Sequence, residues 1–266
     1  MTRLVYERVH DHLQRLKLAT VDEVLDNALN TANAGDKSFL DLLDELLSEE
    51  IRVRRQASIA TRTRLSAMPT RKSLDDFDYA FQPSIDKRVV EELRTLRFVH
   101  HAENVVLLGP PGVGKTHIAL GLGHEAIQAG FQVYHTNMST LIQRLKAAQR
   151  RDAFEAKLRV YVKPRLLILD EMGYQSVDRE GSSLFFELVT RRYEKGSTIF
   201  TSNKSFGEWG ELFGDAVVAS ALLDRILHHA TVINIKGDSY RMKSRRRTGS
   251  PVQNPLTRTE EVNAKG

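Results

Sequence analysis

The stretch GPPGVGKT at 109–116 directly follows the apolar run Val105-Val106-Leu107-Leu108. It fits the pattern GxxxxGKT, with Gly109, Gly114, Lys115 and Thr116 at the fixed positions. Glycines in that pattern let the backbone curl until amide N–H groups face a phosphate. The lysine then neutralises the β and γ oxygens and the threonine hydroxyl ligates magnesium. A helix opening near Gly114 adds the positive end of its dipole. The expected ATP-binding stretch is therefore Gly109, Pro110, Pro111, Gly112, Val113, Gly114, Lys115 and Thr116, with His117 adjoining it and magnesium as the accompanying ion.

Two further segments end in polar residues able to join this chemistry. LLILDE, 166–171, is an apolar run that delivers Asp170 to the carboxyl edge of a sheet, where it can enter a magnesium shell. Glu171 follows it. A carboxylate one step beyond the metal-binding Asp can orient or deprotonate an attacking water, which a hydrolase needs and a small-molecule kinase does not. The bland alternative is an acid capping the next helix. STIFTSN, 197–203, ends in Asn203, whose amide can hold the same water or the γ-phosphate, or can simply cap a turn.

These groups need a scaffold that brings several strand ends together. The runs 104–109, 132–136, 165–170, 197–203 and 231–235 read as strands separated by helical segments. That alternation predicts an α/β fold, a five-stranded parallel sheet with helices on both faces. Ahead of it, Leu4, Val9, Leu13 and Leu16 share one helical face, VDEVLDNAL follows, and a run opening at Ser38 keeps Leu40, Leu43, Leu47 and Ile51 on one face. The expected organisation is a helical N-terminal domain over 1–66, a linker over 67–86 that wraps onto the next domain, and an ATPase domain over 87–241. A basic tail of little fixed structure occupies 242–266.

With 266 residues, 41% of them hydrophobic, the chain can bury a full α/β core plus a small appendage. It has no cysteine, which excludes disulfides and thiolate metal sites and suits a reducing cytoplasm. No stretch approaches the uninterrupted apolar length that spans a bilayer, and the N-terminus carries charges where a signal peptide needs an apolar core, so a cytoplasmic protein is expected. The formal charge of +5 is unevenly spread. Residues 51–72 hold seven Lys or Arg and no acid. Residues 141–165 hold Arg144, Lys146, Arg150, Arg151, Lys157, Arg159, Lys163 and Arg165 against Asp152 and Glu155. Such blocks favour a polyanionic partner, although solvated helix faces have the same composition.

A P-loop, then Asp-Glu, then a strand-end Asn is the order of the AAA+ ATPases. Within them the chain resembles the IstB-type ATP-binding proteins, transposition helpers of insertion sequences related to the DnaC helicase loader. The resemblance rests on DFDYAFQPSID, LRFVHHAENVVLLGPPGVGKTHIA, LLILDEMGY, RRYEKGSTIFTSNKSFGEWGELFGD and LLDRILHHA followed by INIKGDSYR. It implies an AAA+ P-loop domain that oligomerises with ATP, binds duplex DNA with little sequence preference and presents it to a partner transposase. It further implies that Lys115 and the rest of Gly109 to Thr116 bind phosphate, Asp170 holds magnesium, Glu171 activates water and Asn203 senses the nucleotide. Arg225, in ALLDRILHHA, would be an arginine finger acting on the neighbouring subunit; an ion pair with Asp224 or another acid on its helix is its ordinary alternative. Arg241 is a second nucleotide-contacting candidate, although too little chain follows it for the usual helical lid. The DnaC-like group carries a DNA-contacting helical insertion between the second and third strands. Here that interval would turn Leu141, Leu145, Phe154 and Leu158 inward and offer Arg144, Lys146, Arg150 and Arg151 to phosphates. A DnaC-like loader on single strands, a P-loop transferase and an ATP-gated DNA-binding scaffold remain as other readings.

Overall fold

The computed structural model describes residues 3–35 and 37–242. In chain order it consists of α1 (Arg3–Arg15), α2 (Ala19–Ala34), α3 (Phe39–Leu65), α4 (Lys87–Arg94), α5 (Arg97–His100) and β1 (Asn104–Leu108). Next come α6 (Lys115–Gln128), β2 (Val133–Asn137), α7 (Met138–Gln149), α8 (Phe154–Val162), β3 (Leu166–Met172) and α9 (Arg179–Arg192). The chain closes with β4 (Ser197–Ser202), α10 (Trp209–Phe213), α11 (Ala216–Leu227) and β5 (Ala230–Asn234). The strands form one parallel sheet in the order β2-β3-β4-β1-β5, as the alternation of strand and helix predicts.

Both faces of this sheet are covered, which is why its central strands are continuous apolar runs rather than alternating ones. Val105 and Leu107 of β1 join Ile118, Leu122 and Ile127 of α6 on one face. Val106 and Leu108 join the opposite core with α7, α8, α9 and α11, where Leu141, Leu145 and Leu158 are fully buried and Phe154 packs against them. Phe154 is thus half-buried at the edge of that core. The linker belongs to the first core: Leu74, Phe77 and Ile85 are all buried against α6 and its neighbours.

In the N-terminal helices the apolar face read from the periodicity is not the buried one. Leu40, Leu43, Leu47 and Ile51 do share a face of α3, but that face is exposed. The buried positions are Leu42 and Leu46, which pack on Val21, Leu25 and Ala28 of α2. Glu50, one turn further along, sets this orientation. Its carboxylate accepts from the backbone N–H of Thr20 (2.9 Å) and Val21 (3.1 Å) at the start of α2 and pairs with Arg54 (2.6 Å). Capped by a Ser38–Asp41 capping box, α3 then runs 27 residues to the α/β domain, where Ile59 packs against the first core. Past its end, Ser66 O accepts from His135 N (2.7 Å) on β2, covering part of an otherwise open sheet edge.

At the amino ends of β3 and β4 Arg192 is 3% exposed and has no acidic partner among the described residues. Its guanidinium donates to the carbonyl oxygens of Tyr161, Val162, Pro164 and Ser197 and to Thr198 Oγ1. Burial and the nearby Arg165 push its pKa down to about 9, which leaves it charged at neutral pH. The cation ties the end of α8 to α9 and β4. No helix among the described residues is long and apolar enough to cross a membrane. The basic tail, apart from Met242, lies outside the described residues.

Candidate nucleotide site

The carboxyl ends of β1, β3 and β4 open into a cavity of about 530 Å³. Gly112 to His117, Asp170, Glu171, Asn203 and Arg241 all line it. Gly112 (φ +85°) and Gly114 (φ +103°) hold the loop in left-handed backbone. Any side chain on Gly114 would also come within 2.6 Å of the Phe77 ring, so the curl that exposes the amides requires glycine there. Lys115 Nζ donates to the carbonyls of Gly109 (2.6 Å) and Pro110 (2.8 Å). His117 is turned aside, with Nε2 2.7 Å from Ser73 O and its ring edge-on to Phe77.

Asp170 is buried and surrounded by donors. Thr116 Oγ1 donates to both carboxylate oxygens at 3.0 Å and Thr201 Oγ1 donates to Oδ1. Burial alone would raise its carboxyl pKa. The His135 side chain and the two hydroxyls outweigh that and hold it below the usual carboxylate value. An ionised buried carboxylate beside a threonine hydroxyl fits a divalent cation, and the glycine-lined amide loop beside it fits a polyphosphate.

Glu171 departs from its neighbour. Its φ of +61° is left-handed, unusual for a side-chain-bearing residue, and the β3–β4 register slips between Leu169 and Met172. Thr201 Oγ1 accepts from Glu171 N (3.0 Å) at this kink. The kink re-aims the carboxylate out of the alternating pattern of the strand, so Glu171 is exposed at the cavity wall. There Asn137 Nδ2 approaches Glu171 Oε2 at 3.4 Å. Asn203 lies beside the same segment, its N–H donating to Met172 O (3.3 Å) and its Oδ1 buried without a hydrogen-bond partner among the described residues. An orphaned amide oxygen at the cavity edge fits a ligand or a water.

After β5 the chain returns over the loop. Ile235 N donates to Leu108 O (2.7 Å) and Tyr240 N to Gly112 O (3.0 Å), which brings Arg241 into the same cavity. Its charge acts on Lys115. Burial, opposed by Asp170 and reinforced by Arg241, pushes the Lys115 pKa down to about 8. A phosphate beside this ammonium favours its charged form, so nucleotide binding must take up a proton wherever Lys115 is neutral. ATP affinity is therefore expected to be flat near pH 7 and to fall by up to about tenfold per pH unit above about 8. Fluorescence titration across that range checks it, and Lys115→Arg should abolish the slope.

Arg225 is far from this cavity within its own chain. The carbonyl of the next residue, Ile226, accepts from Asn104 Nδ2 (3.0 Å) at the amino end of β1, whereas the phosphate loop follows the carboxyl end. The intervening strand is roughly 13 Å long. Arg225 pairs with no acid among the described residues; it lies over the Phe186 ring at 4.7 Å and donates to Ala221 O (3.1 Å). Of the four basic residues offered by α7 and its following turn, Arg144, Arg150 and Arg151 are exposed. Lys146 is instead held by Asp178 (2.6 Å) and Glu180 (3.4 Å), so its charge is neutralised internally.

Sequence reasoning missed several cavity residues. Pro69, Thr70, Lys72, Phe77 and Gln82 come from the linker, and Thr201 from the middle of a recognised segment. Asn137 had a visible signal, a polar residue directly after the strand read at 132–136, but its proximity to Glu171 depends on β2 lying beside β3.

The comparisons agree with this geometry. A family model for IstB-like ATP binding protein matches residues 11–248. The chain is 45% identical over 240 residues to the ATP-binding protein of insertion sequence IS5376 from Geobacillus stearothermophilus, covering 90% of this chain and 96% of the relative. It is also 45% identical over 252 residues to that of insertion sequence IS21 from Pseudomonas aeruginosa, covering 94% and 95%. Among solved structures it is similar to DnaI, with a TM-score of 0.53 and 26% identity over 65% of this chain and 94% of that one. Phosphate loop, strand-end carboxylates, sheet order and relatives converge: the chain belongs to the IstB-like family of ATP-binding proteins, built on an AAA+ domain preceded by N-terminal helices.

Proposed function

We propose that the protein is an ATP-hydrolysing transposition helper that assembles on duplex DNA and presents it to a partner transposase. The observation that carries this reading is the separation of Arg225 from the nucleotide cavity by the length of a strand. An arginine with no acidic partner among the described residues at one end of the sheet and a phosphate site at the other leave each subunit incomplete, and a neighbour can complete both. Within one subunit Lys115 holds phosphate, Thr116 and Asp170 are the residues to hold magnesium, and Glu171 receives the proton of the attacking water. Magnesium, when bound, offsets phosphate charge. Asn203 orients the γ-phosphate or the water, and Arg241 adds positive charge from the same chain.

Exposed Arg144, Arg150 and Arg151 supply a basic track for a duplex backbone, with Lys146 serving the fold instead. Helix α7, which carries Arg144 and leads into Arg150 and Arg151, is capped at its start by Asn137, the residue that approaches Glu171. The names of the relatives, ATP-binding proteins of insertion sequences, support a role in transposition. A P-loop transferase is disfavoured because Glu171 stands at the cavity wall where an acceptor would need a binding surface.

Particle mass in ATP, measured together with hydrolysis in the absence of DNA and with duplex or single-stranded DNA, tests the proposal. ATP-dependent assembly and turnover stimulated by duplex support it. A monomer whose turnover ignores DNA would overturn it, and stimulation by single strands alone would replace it with a helicase-loader role.

A further inference from the structure

β2 carries no recognised motif, yet it places two polar side chains on the sheet face that bears Asp170. The register pairs His135 with Ile168 and Asn137 with Asp170, so all four residues stand on one face. Asn137 reaches Glu171. His135 reaches the other carboxylate: its Nε2 stands 3.7 Å from Asp170 Oδ2, with the two side chains 12% and 7% exposed. That nitrogen is buried and has no hydrogen-bond partner among the described residues. A partnerless buried imidazole nitrogen is costly, and an aliphatic residue would fill the same strand position more cheaply. What the imidazole adds at this position is a donor facing Asp170.

The donors around Asp170 come from three elements: Thr116 from α6, Thr201 from β4 and His135 from β2. Thr116 is the one whose oxygen is also needed by magnesium. Once that hydroxyl serves the metal, the carboxylate keeps Thr201 on Oδ1 and has only His135 beside Oδ2. The backbone that carries the imidazole is anchored. The His135 backbone N–H donates to Ser66 O (2.7 Å), and Ser66 is fully buried at the end of α3. The gap to Oδ2 is a few tenths of an ångström beyond hydrogen-bond range.

Resting on the reading of Asp170 as the magnesium ligand, we propose that His135 is its positioning residue, with Nε2–H holding Oδ2 so that the carboxylate stays turned toward Thr116. Outer partners of metal ligands act in this way by fixing the ligand's orientation before the ion arrives. The role needs an N–H donor at that place and no charge on the ring.

The test is a magnesium titration of nucleotide affinity with a fluorescent ADP analogue, run on the full chain for wild type, His135→Leu, His135→Gln and Asp170→Asn. Paramagnetic resonance of Mn²⁺ provides a direct second readout. His135→Leu is expected to shift the magnesium midpoint upward by about tenfold while leaving nucleotide affinity without magnesium unchanged. His135→Gln, which restores a side-chain N–H, is expected to stay within about threefold of wild type. Thermal unfolding of each variant accompanies the titration, so that the midpoints are compared between folded proteins. A wild-type midpoint in His135→Leu, alongside a shifted one in Asp170→Asn, would overturn the positioning role and leave Asp170 as the ligand. No shift in Asp170→Asn would instead overturn the assignment of the ligand. If His135→Leu does not fold, His135→Asn, whose shorter amide cannot reach Oδ2, takes its place: a shifted midpoint supports the positioning role and a wild-type midpoint overturns it.

Discussion

Arg225→Ala and Glu171→Gln are each expected to cut ATP turnover by at least ~100-fold, and their equimolar mixture to recover about a quarter of wild-type activity. The loss in Glu171→Gln follows from removing a proton acceptor while keeping size, polarity and the approach of Asn137 at 3.4 Å. Nucleotide affinity should stay within about threefold, because Glu171 is not among the groups that hold phosphate. The loss in Arg225→Ala has a different origin, since that side chain lies against Phe186 at the far end of its own sheet. Mixing separates the two origins. A subunit with intact Glu171 sits beside a subunit with intact Arg225 in about one contact in four when both proteins enter one assembly at random. Recovery would show that the two residues act across a subunit boundary. A mixture as inactive as its components, at matched particle mass, would mean that Arg225 serves its own subunit or none.

Arg192→Leu is expected to lower stability by about 3–5 kcal/mol, read from urea or thermal unfolding. Leucine fills part of the space but leaves four carbonyls and the Thr198 hydroxyl without their donor in a buried place. Lysine would keep the charge yet offer three donors from a point instead of five from a planar fork, so Arg192→Lys should also be clearly destabilised. The neighbouring Arg191 supplies the contrast. It is partly exposed and pairs with Glu155 (2.7 Å) and Glu187 (2.5 Å). Its replacement by alanine should cost no more than about 1 kcal/mol. Equal losses at 191 and 192 would show that the carbonyl cage contributes little.

The parts legible in the sequence were those encoded by short, contiguous patterns. All five strands, the phosphate loop and the pair Asp170–Glu171 follow from apolar runs bounded by glycine or by polar strand ends. What escaped depends on pairings made at a distance. The kink at Glu171 is set by the slipped register with β4, and Lys146 looked free until Asp178, far along the chain, folded against it. His135 and Asn137 became site residues only because the sheet order sets β2 beside β3. In α3 the chain offers more apolar positions than one buried face can use. The face chosen was decided by Glu50 capping α2, and hydrophobic periodicity carries no trace of that contact.

The placement of the nucleotide cavity and Arg225 at opposite ends of the sheet gives any stack of these subunits a direction. Contacts of that kind are head-to-tail, so an open assembly has two unlike termini. One terminal subunit holds nucleotide with no arginine facing it, while the other presents an arginine to solvent. In the assembly proposed above, hydrolysis would be confined to internal junctions, and the nucleotide at the exposed terminus would outlast the rest. A DNA-bound row built this way would age from within and keep a stable leading end, so a binding partner could distinguish its front from its back.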